Sequence, residues 1–108
     1  MLTKKREVKR LLREAVKNNG VTSVVYRYPW GKRKPKTISI NGNTYTVRAM
    51  SFGEAANLVL EVCKRIFGEL KYVGGTFREE TYANSKGKIH LYPTGSAGLF
   101  EFTITKLA

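Results

Sequence analysis

Residues 36–48, KTISINGNTYTVR, read as two short strands joined by a two-residue turn. Asn41-Gly42 is a strong hairpin signal, because a type I′ turn needs positive φ at both central positions, which Asn tolerates and Gly adopts freely. On either side of the turn the residues alternate. Ile38, Ile40, Tyr45 and Val47 fall on one face, and Thr37, Ser39, Thr46 and Arg48 on the other, as the two-residue period of a strand requires. A sheet with one greasy side and one polar, basic side must have its greasy side covered.

The neighbouring segments offer the strand and the cover. Upstream, VTSVVYRYP (21–29) reads as a further strand. Downstream, Ser51 is followed three residues later by Glu54, the capping-box spacing that satisfies the first N–H groups of a helix. Ala55, Ala56, Val59, Val62, Cys63, Ile66 and Phe67 then give a broad apolar stripe, and Lys64 and Arg65 suit the negative C-terminal end;. At the N-terminus, Thr3 is placed to cap another helix, with Val8, Leu11, Leu12, Ala15 and Val16 on one face and Asn19-Gly20 closing it;. Residues 71–108 read as two or three strands with turns at Gly74-Gly75, Ser85-Lys86-Gly87 and Gly95 to Gly98;. The expected architecture is a single α+β domain over residues 1–108. A basic amphipathic helix occupies 1–20, a three-stranded antiparallel sheet backed by a helix occupies 21–70, and a C-terminal hairpin or added strands occupy 71–108.

The charge is large and unevenly placed. Twenty Lys and Arg face eight acids, all Glu, for a formal net charge of +12 over 108 residues. Residues 21–50 hold six Lys or Arg and no acid, and residues 1–20 hold seven against two. Self-repulsion of this size is relieved by a polyanion. A lone Cys63 excludes an internal disulfide and suits a reduced, cytoplasmic setting;. No apolar run approaches a membrane span, no signal-like leader is visible, and no membrane partner is expected.

Catalytic chemistry finds little support. His90 is the sole histidine, and the chain has no Asp to orient it. A small basic ribonuclease could pair it with Glu79 or Glu80 as acid and base, but a satisfied structural histidine is the plainer reading. Cys63 lies among apolar helical neighbours, which argues for packing over nucleophilic use. No glycine pattern makes a phosphate cradle. The expectation is a binder that is not an enzyme and needs no cofactor or metal.

Clustered Lys and Arg neutralise phosphates, and interleaved aromatics can stack on bases or sugars. Residues 26–36 supply Arg27, Lys32, Arg33, Lys34 and Lys36 around Tyr26, Tyr28 and Trp30. The competing view is a solubilising loop whose aromatics belong to the core. The order strand, strand, strand, helix, with Pro29-Trp30-Gly31-Lys32 after the first strand and Ser51-Phe52, Glu54-Ala55-Ala56 and Gly68 marking the helix, resembles the ethylene-response-factor (Apetala-type) or integrase-type DNA-binding domain. The likeness covers residues 20 to about 71. It implies that the sheet lies in the major groove of duplex DNA while the helix packs behind, which would use Ser39, Thr46 and Arg48 for contact.

The expected nucleic-acid-binding residues follow. Lys32, Arg33, Lys34 and Lys36 neutralise phosphates, Arg48 meets a base edge or phosphate, and Trp30 stacks on a sugar or thymine methyl. Arg27 and Tyr28 flank them, and Arg10 and Arg13 extend the footprint from the first helix. Two other readings stay open. Helix, three strands, helix is also the order of a double-stranded RNA-binding domain, although such domains start their last helix with a lysine cluster and this chain has Gly53-Glu54 there;. The third is a small phage-like or mobile-element protein that inhibits a host protein or nucleoprotein, with the C-terminal hairpin pairing at a strand edge.

Overall fold

The computed structural model describes residues 2–29, 36–48, 51–76, 79–93 and 98–107. Along the chain run α1 (Lys5–Asn18), β1 (Val21–Arg27), β2 (Lys36–Ile40), β3 (Asn43–Val47), α2 (Phe52–Phe67), β4 (Lys71–Thr76), β5 (Glu79–Ala83), β6 (Gly87–Pro93) and β7 (Leu99–Lys106). The seven strands form one antiparallel sheet in the order β3-β2-β1-β7-β6-β5-β4.

This corrects the expected three-stranded sheet. β1 is a central strand, paired with β2 on one side and with β7 on the other, and the C-terminal segment supplies four strands rather than two or three. The physical reason lies in β7. Its Phe100, Phe102 and Ile104 stand opposite Tyr26, Val24 and Thr22 in register, so docking β7 extends the same apolar surface and pairs a β1 edge that would otherwise be open.

The hairpin reading survives intact. Asn41 and Gly42 have φ of 48° and 89°, and Asn41 Oδ1 accepts from the Ser23 N–H at 2.8 Å, which ties the turn to β1. Ile38, Ile40 and Val47 are buried, and Tyr45 is half-buried against the same core. Every buried strand side chain among the described residues shares that face, including Ile89, Leu91, Phe102 and Ile104. Both helices cover it: α1 with Val8, Leu12 and Val16, and α2 with Ala55, Leu58, Val59, Val62, Cys63 and Phe67. Each large side chain so buried contributes about 1.5–3 kcal/mol.

Two local expectations need correction. Thr3 does not cap α1: Lys4 occupies the cap position without a side-chain bond, while Thr3 forms a parallel bridge to Val47 and donates its N–H to the Thr46 carbonyl at 2.7 Å. Pairing with the edge of β3 takes the residue that would have capped. Gly74-Gly75 is not a turn but part of β4, where the register shifts between Tyr72 and Gly74. Gly75 is required there because a Cβ would overlap the Glu79 carbonyl. The α2 capping box is as expected, with the Glu54 N–H donating to Ser51 Oγ at 3.1 Å and the Gly68 N–H closing the far end on the Lys64 carbonyl at 2.9 Å.

The Phe67 ring lies flat against Gly87, where a Cβ would overlap it. Gly87→Ala is therefore expected to destabilise the protein by about 1–3 kcal/mol through overpacking. A thermal or urea melt checks this, and an unchanged midpoint would mean that the ring has room to move.

Candidate functional site

Strand register gathers several termini at one end of the sheet. Arg27 pairs with Thr37, which sets the end of β1 beside the start of β2, and Lys36 pairs with Val47, which sets the start of β2 beside the end of β3. The Thr3–Val47 bridge brings the entry to α1 to the same place. Phe52 stacks on Phe100 with ring centroids 4.1 Å apart, so α2 begins there too. At the opposite end, Lys106 Nζ donates to the Lys17 carbonyl at 3.0 Å and Phe67 meets Gly87. Hence the helices run parallel, and both point their positive N-terminal ends at the end that carries Lys4, Lys5, Arg27, Lys36 and Arg48.

Those five cations make no ion pair among the described residues. Leu2, Thr3, Lys4, Lys5, Val47, Arg48 and Glu54 line a cleft of about 670 Å³ between the entry to α1, the exit of β3 and the start of α2. Glu54 is the one carboxylate among the described residues of that lining, and it accepts from Ser51 Oγ at 3.5 Å. Lys36 Nζ sits 5.0 Å from the Tyr28 ring centroid, a cation–π contact;. Tyr28 itself is held by its N–H bond to the Gly98 carbonyl at 2.6 Å. Tyr26, by contrast, is wholly buried, so that aromatic of the 26–36 stretch is core.

Glu7, Glu14 and Glu61 are committed elsewhere. Arg10 is bonded by both Glu7 and Glu14, Lys9 meets Glu61 at 3.0 Å, and Arg65 adds a longer contact to Glu61 at 3.8 Å. The Arg10 guanidinium holds the Glu7 carboxyl below its ordinary range, and Lys9 does the same for Glu61. Arg13 lines a small hollow with Lys9, Glu61, Val62 and Arg65. Arg10 and Arg13 thus lie along the helix layer, away from the cationic end, and the charge of Arg10 is already shared. Trp30, Lys32, Arg33 and Lys34 lie outside the described residues; in sequence they belong to the connection that leaves Arg27 and returns at Lys36.

The open face of the sheet is polar, as alternation indicates, but only weakly basic. Ser23, Thr37, Ser39, Thr44, Thr46, Thr81, Thr103 and Thr105 occupy it, with Ser39 Oγ 2.8 Å from Thr44 Oγ1. Its strand cations Arg27, Lys71 and Lys88 are offset in part by Glu79 and Glu101. Alternation over β2 and β3 alone misses the acids that β5 and β7 bring to the same face. The cationic rim comprising Lys4 and Lys5 is likewise invisible to local patterning, because the Thr3 bridge places it.

The groups weighed for catalysis are placed as follows. His90 lies on the open face with Nε2 3.7 Å from Glu79 Oε2. Cys63 is buried, and burial pushes its thiol up to about 12. Native protein is therefore expected to resist thiol reagents and to label rapidly only when unfolded; fast stoichiometric labelling of the folded chain would contradict the burial. Among the described residues no three metal-binding side chains gather, and no helix is long and apolar enough to cross a membrane. No protein-family model matches the chain, and no curated protein or solved structure is significantly similar to it.

Proposed function

We propose that this protein is a non-catalytic binder of duplex nucleic acid, with DNA as its first target. One observation carries the reading: Lys4, Lys5, Arg27, Lys36 and Arg48, unpaired by acids among the described residues, converge with two helix N-termini at one end of the sheet. Such a convergence repels itself unless an anion is bound, and phosphates supply that anion in a row. The acid-free run of residues 32–34 joins Arg27 to Lys36 in sequence and adds three more cations to the same connection. Arg27 and the hydroxyls of Thr37, Ser39 and Thr46 stand on the adjoining open face, where they can meet sugar, phosphate or base edges;.

A second reading is favoured by one specific feature. Lys4, Lys5 and Arg48 share a cleft with Glu54 at the start of α2, which places cations where a double-stranded RNA-binding domain has its lysine cluster even though residues 53–54 lack them. Titrating labelled duplex DNA, single-stranded DNA and duplex RNA of matched length separates the two. Tightest binding to duplex DNA is expected. Preference for duplex RNA would transfer the reading to A-form shape recognition, and absence of binding to all three would overturn both.

A further inference from the structure

We infer that two copies of this chain associate edge to edge through β4, forming a two-fold dimer with a continuous sheet. The inference rests on β4 and its neighbours alone, so it stands or falls apart from the nucleic-acid reading. β4 is the last strand of the sheet, and no described strand pairs with its outer side. Tyr72 and Val73 are 57% and 66% exposed there. Tyr72 packs edge-on against Tyr82, with centroids 5.5 Å apart, on the side of the sheet that the helices cover elsewhere. An open strand edge with exposed apolar side chains is a template for another strand.

Charge decides which strand. In a chain of net charge +12, residues 69–83 carry Glu69, Glu79 and Glu80 against Lys71 and Arg78, so this is an edge at which two copies meet without like-charge repulsion. The opposite edge, β3, is flanked by Lys4, Lys5, Lys36 and Arg48 and is partly occupied by the Thr3 bridge. It repels a second copy.

The bulge in β4 selects the register. Because it shifts the alternation by one residue, Lys71 and Thr76 share the open face, while Tyr72 and Gly75 share the other. An antiparallel pairing centred between Val73 and Gly74 then sets Lys71 opposite Thr76 of the second copy and Tyr72 opposite Gly75. The tyrosine ring covers bare backbone at Gly75, a position where a side chain has no room. Thr76 is paired with Glu79 within its own copy, so Lys71 lies diagonal to Glu79 of the second copy on the same face. That diagonal spans about 10 Å between backbones, two strand spacings, within the joint reach of Lys and Glu side chains. The two-fold axis produces the pair twice.

Sedimentation velocity on the full chain tests this, with circular dichroism to confirm that each variant is folded. Wild-type protein should dimerise. Lys71→Glu and Glu79→Lys should each raise the dimer dissociation constant more than about tenfold, because each sets like charges across the seam. An equimolar mixture of the two variants should recover the dimer, since both cross-seam pairs are then of opposite sign. A monomeric wild type would overturn the inference, as would a dimer indifferent to both substitutions.

Discussion

Replacing Lys4, Lys5, Lys36 and Arg48 together by Ala is expected to weaken duplex-DNA binding by about a hundred- to a thousandfold at physiological salt and to flatten the salt dependence by about 0.9 for each phosphate no longer neutralised. These four side chains make no ion pairs within the described residues, so the fold gives up only the Lys36–Tyr28 cation–π contact and the longer-range attraction of Lys5 for Glu61 when they are removed. Relief of their mutual repulsion offsets that loss, and the melting temperature should stay close to that of the wild type. Arg10→Ala serves as the contrast. Its charge is already shared between Glu7 and Glu14, and affinity should stay within about threefold of wild type. A finer contrast separates neighbours at the end of β3: Arg48→Ala, just beyond the strand, should reduce binding and spare stability, while Val47→Ala, 5% exposed, should cost about 1–3 kcal/mol of stability and leave binding intact. The reverse pattern would mean that the two faces are assigned backwards.

Asn84→Ala is expected to destabilise the protein by about 2–4 kcal/mol, from four side-chain hydrogen bonds worth about 0.5–1.5 kcal/mol each less partial replacement by water. Asn84 Nδ2 donates to the carbonyls of Phe67 and Glu69 at 2.9 and 2.8 Å, and Oδ1 accepts from the N–H groups of Lys86 and Gly87 at 2.7 and 3.0 Å. One side chain thereby satisfies the open end of α2 and shapes the β5–β6 turn. Asn84→Asp keeps the acceptor but turns an oxygen toward two carbonyls, so it should destabilise about as much at neutral pH and recover as the carboxyl is protonated in acid. Urea melts at two pH values check both variants; a mild loss from Asn84→Ala, within about 0.5 kcal/mol, would show that solvent replaces these bonds.

What the sequence discloses here follows from the range of each interaction. The Asn41-Gly42 turn, the Ile38/Ile40/Val47 face and the Ser51–Glu54 cap depend on residues within a few positions of one another, and each is found where the pattern places it. β1 is different. Its burial alternates along VTSVVYR, a pattern equally suited to an edge or a central strand, and only its pairing with residues 99–105 decides the matter. Gly74-Gly75 misleads because paired glycines usually mark turns, whereas here the second is dictated by a close approach of the Glu79 carbonyl;. Thr3 has the composition of a cap, but its bond to the Thr46 carbonyl is long-range in sequence.

The candidate site divides in the same way. Arg27, Lys36 and Arg48 are legible as members of an acid-free stretch, and Ser39 and Thr46 as members of a polar face. Lys5 lies on the same helix as Arg10 and Arg13, yet the bridge at Thr3 carries Lys4 and Lys5 to the sheet end and leaves Arg10 and Arg13 on the helix layer among glutamates. The sheet face is less basic than β2 and β3 alone suggest for a related reason. Glu79 and Glu101 come from strands whose place in the sheet no local pattern reveals.

The most direct test of the central claim is the affinity of the unmodified protein for duplex DNA across a salt series. The convergence of five cations without acidic partners among the described residues predicts that log affinity falls linearly with log salt, with a slope steeper than about −3, at roughly −0.9 for each phosphate neutralised. A slope near zero, or no measurable binding at low salt, would contradict it.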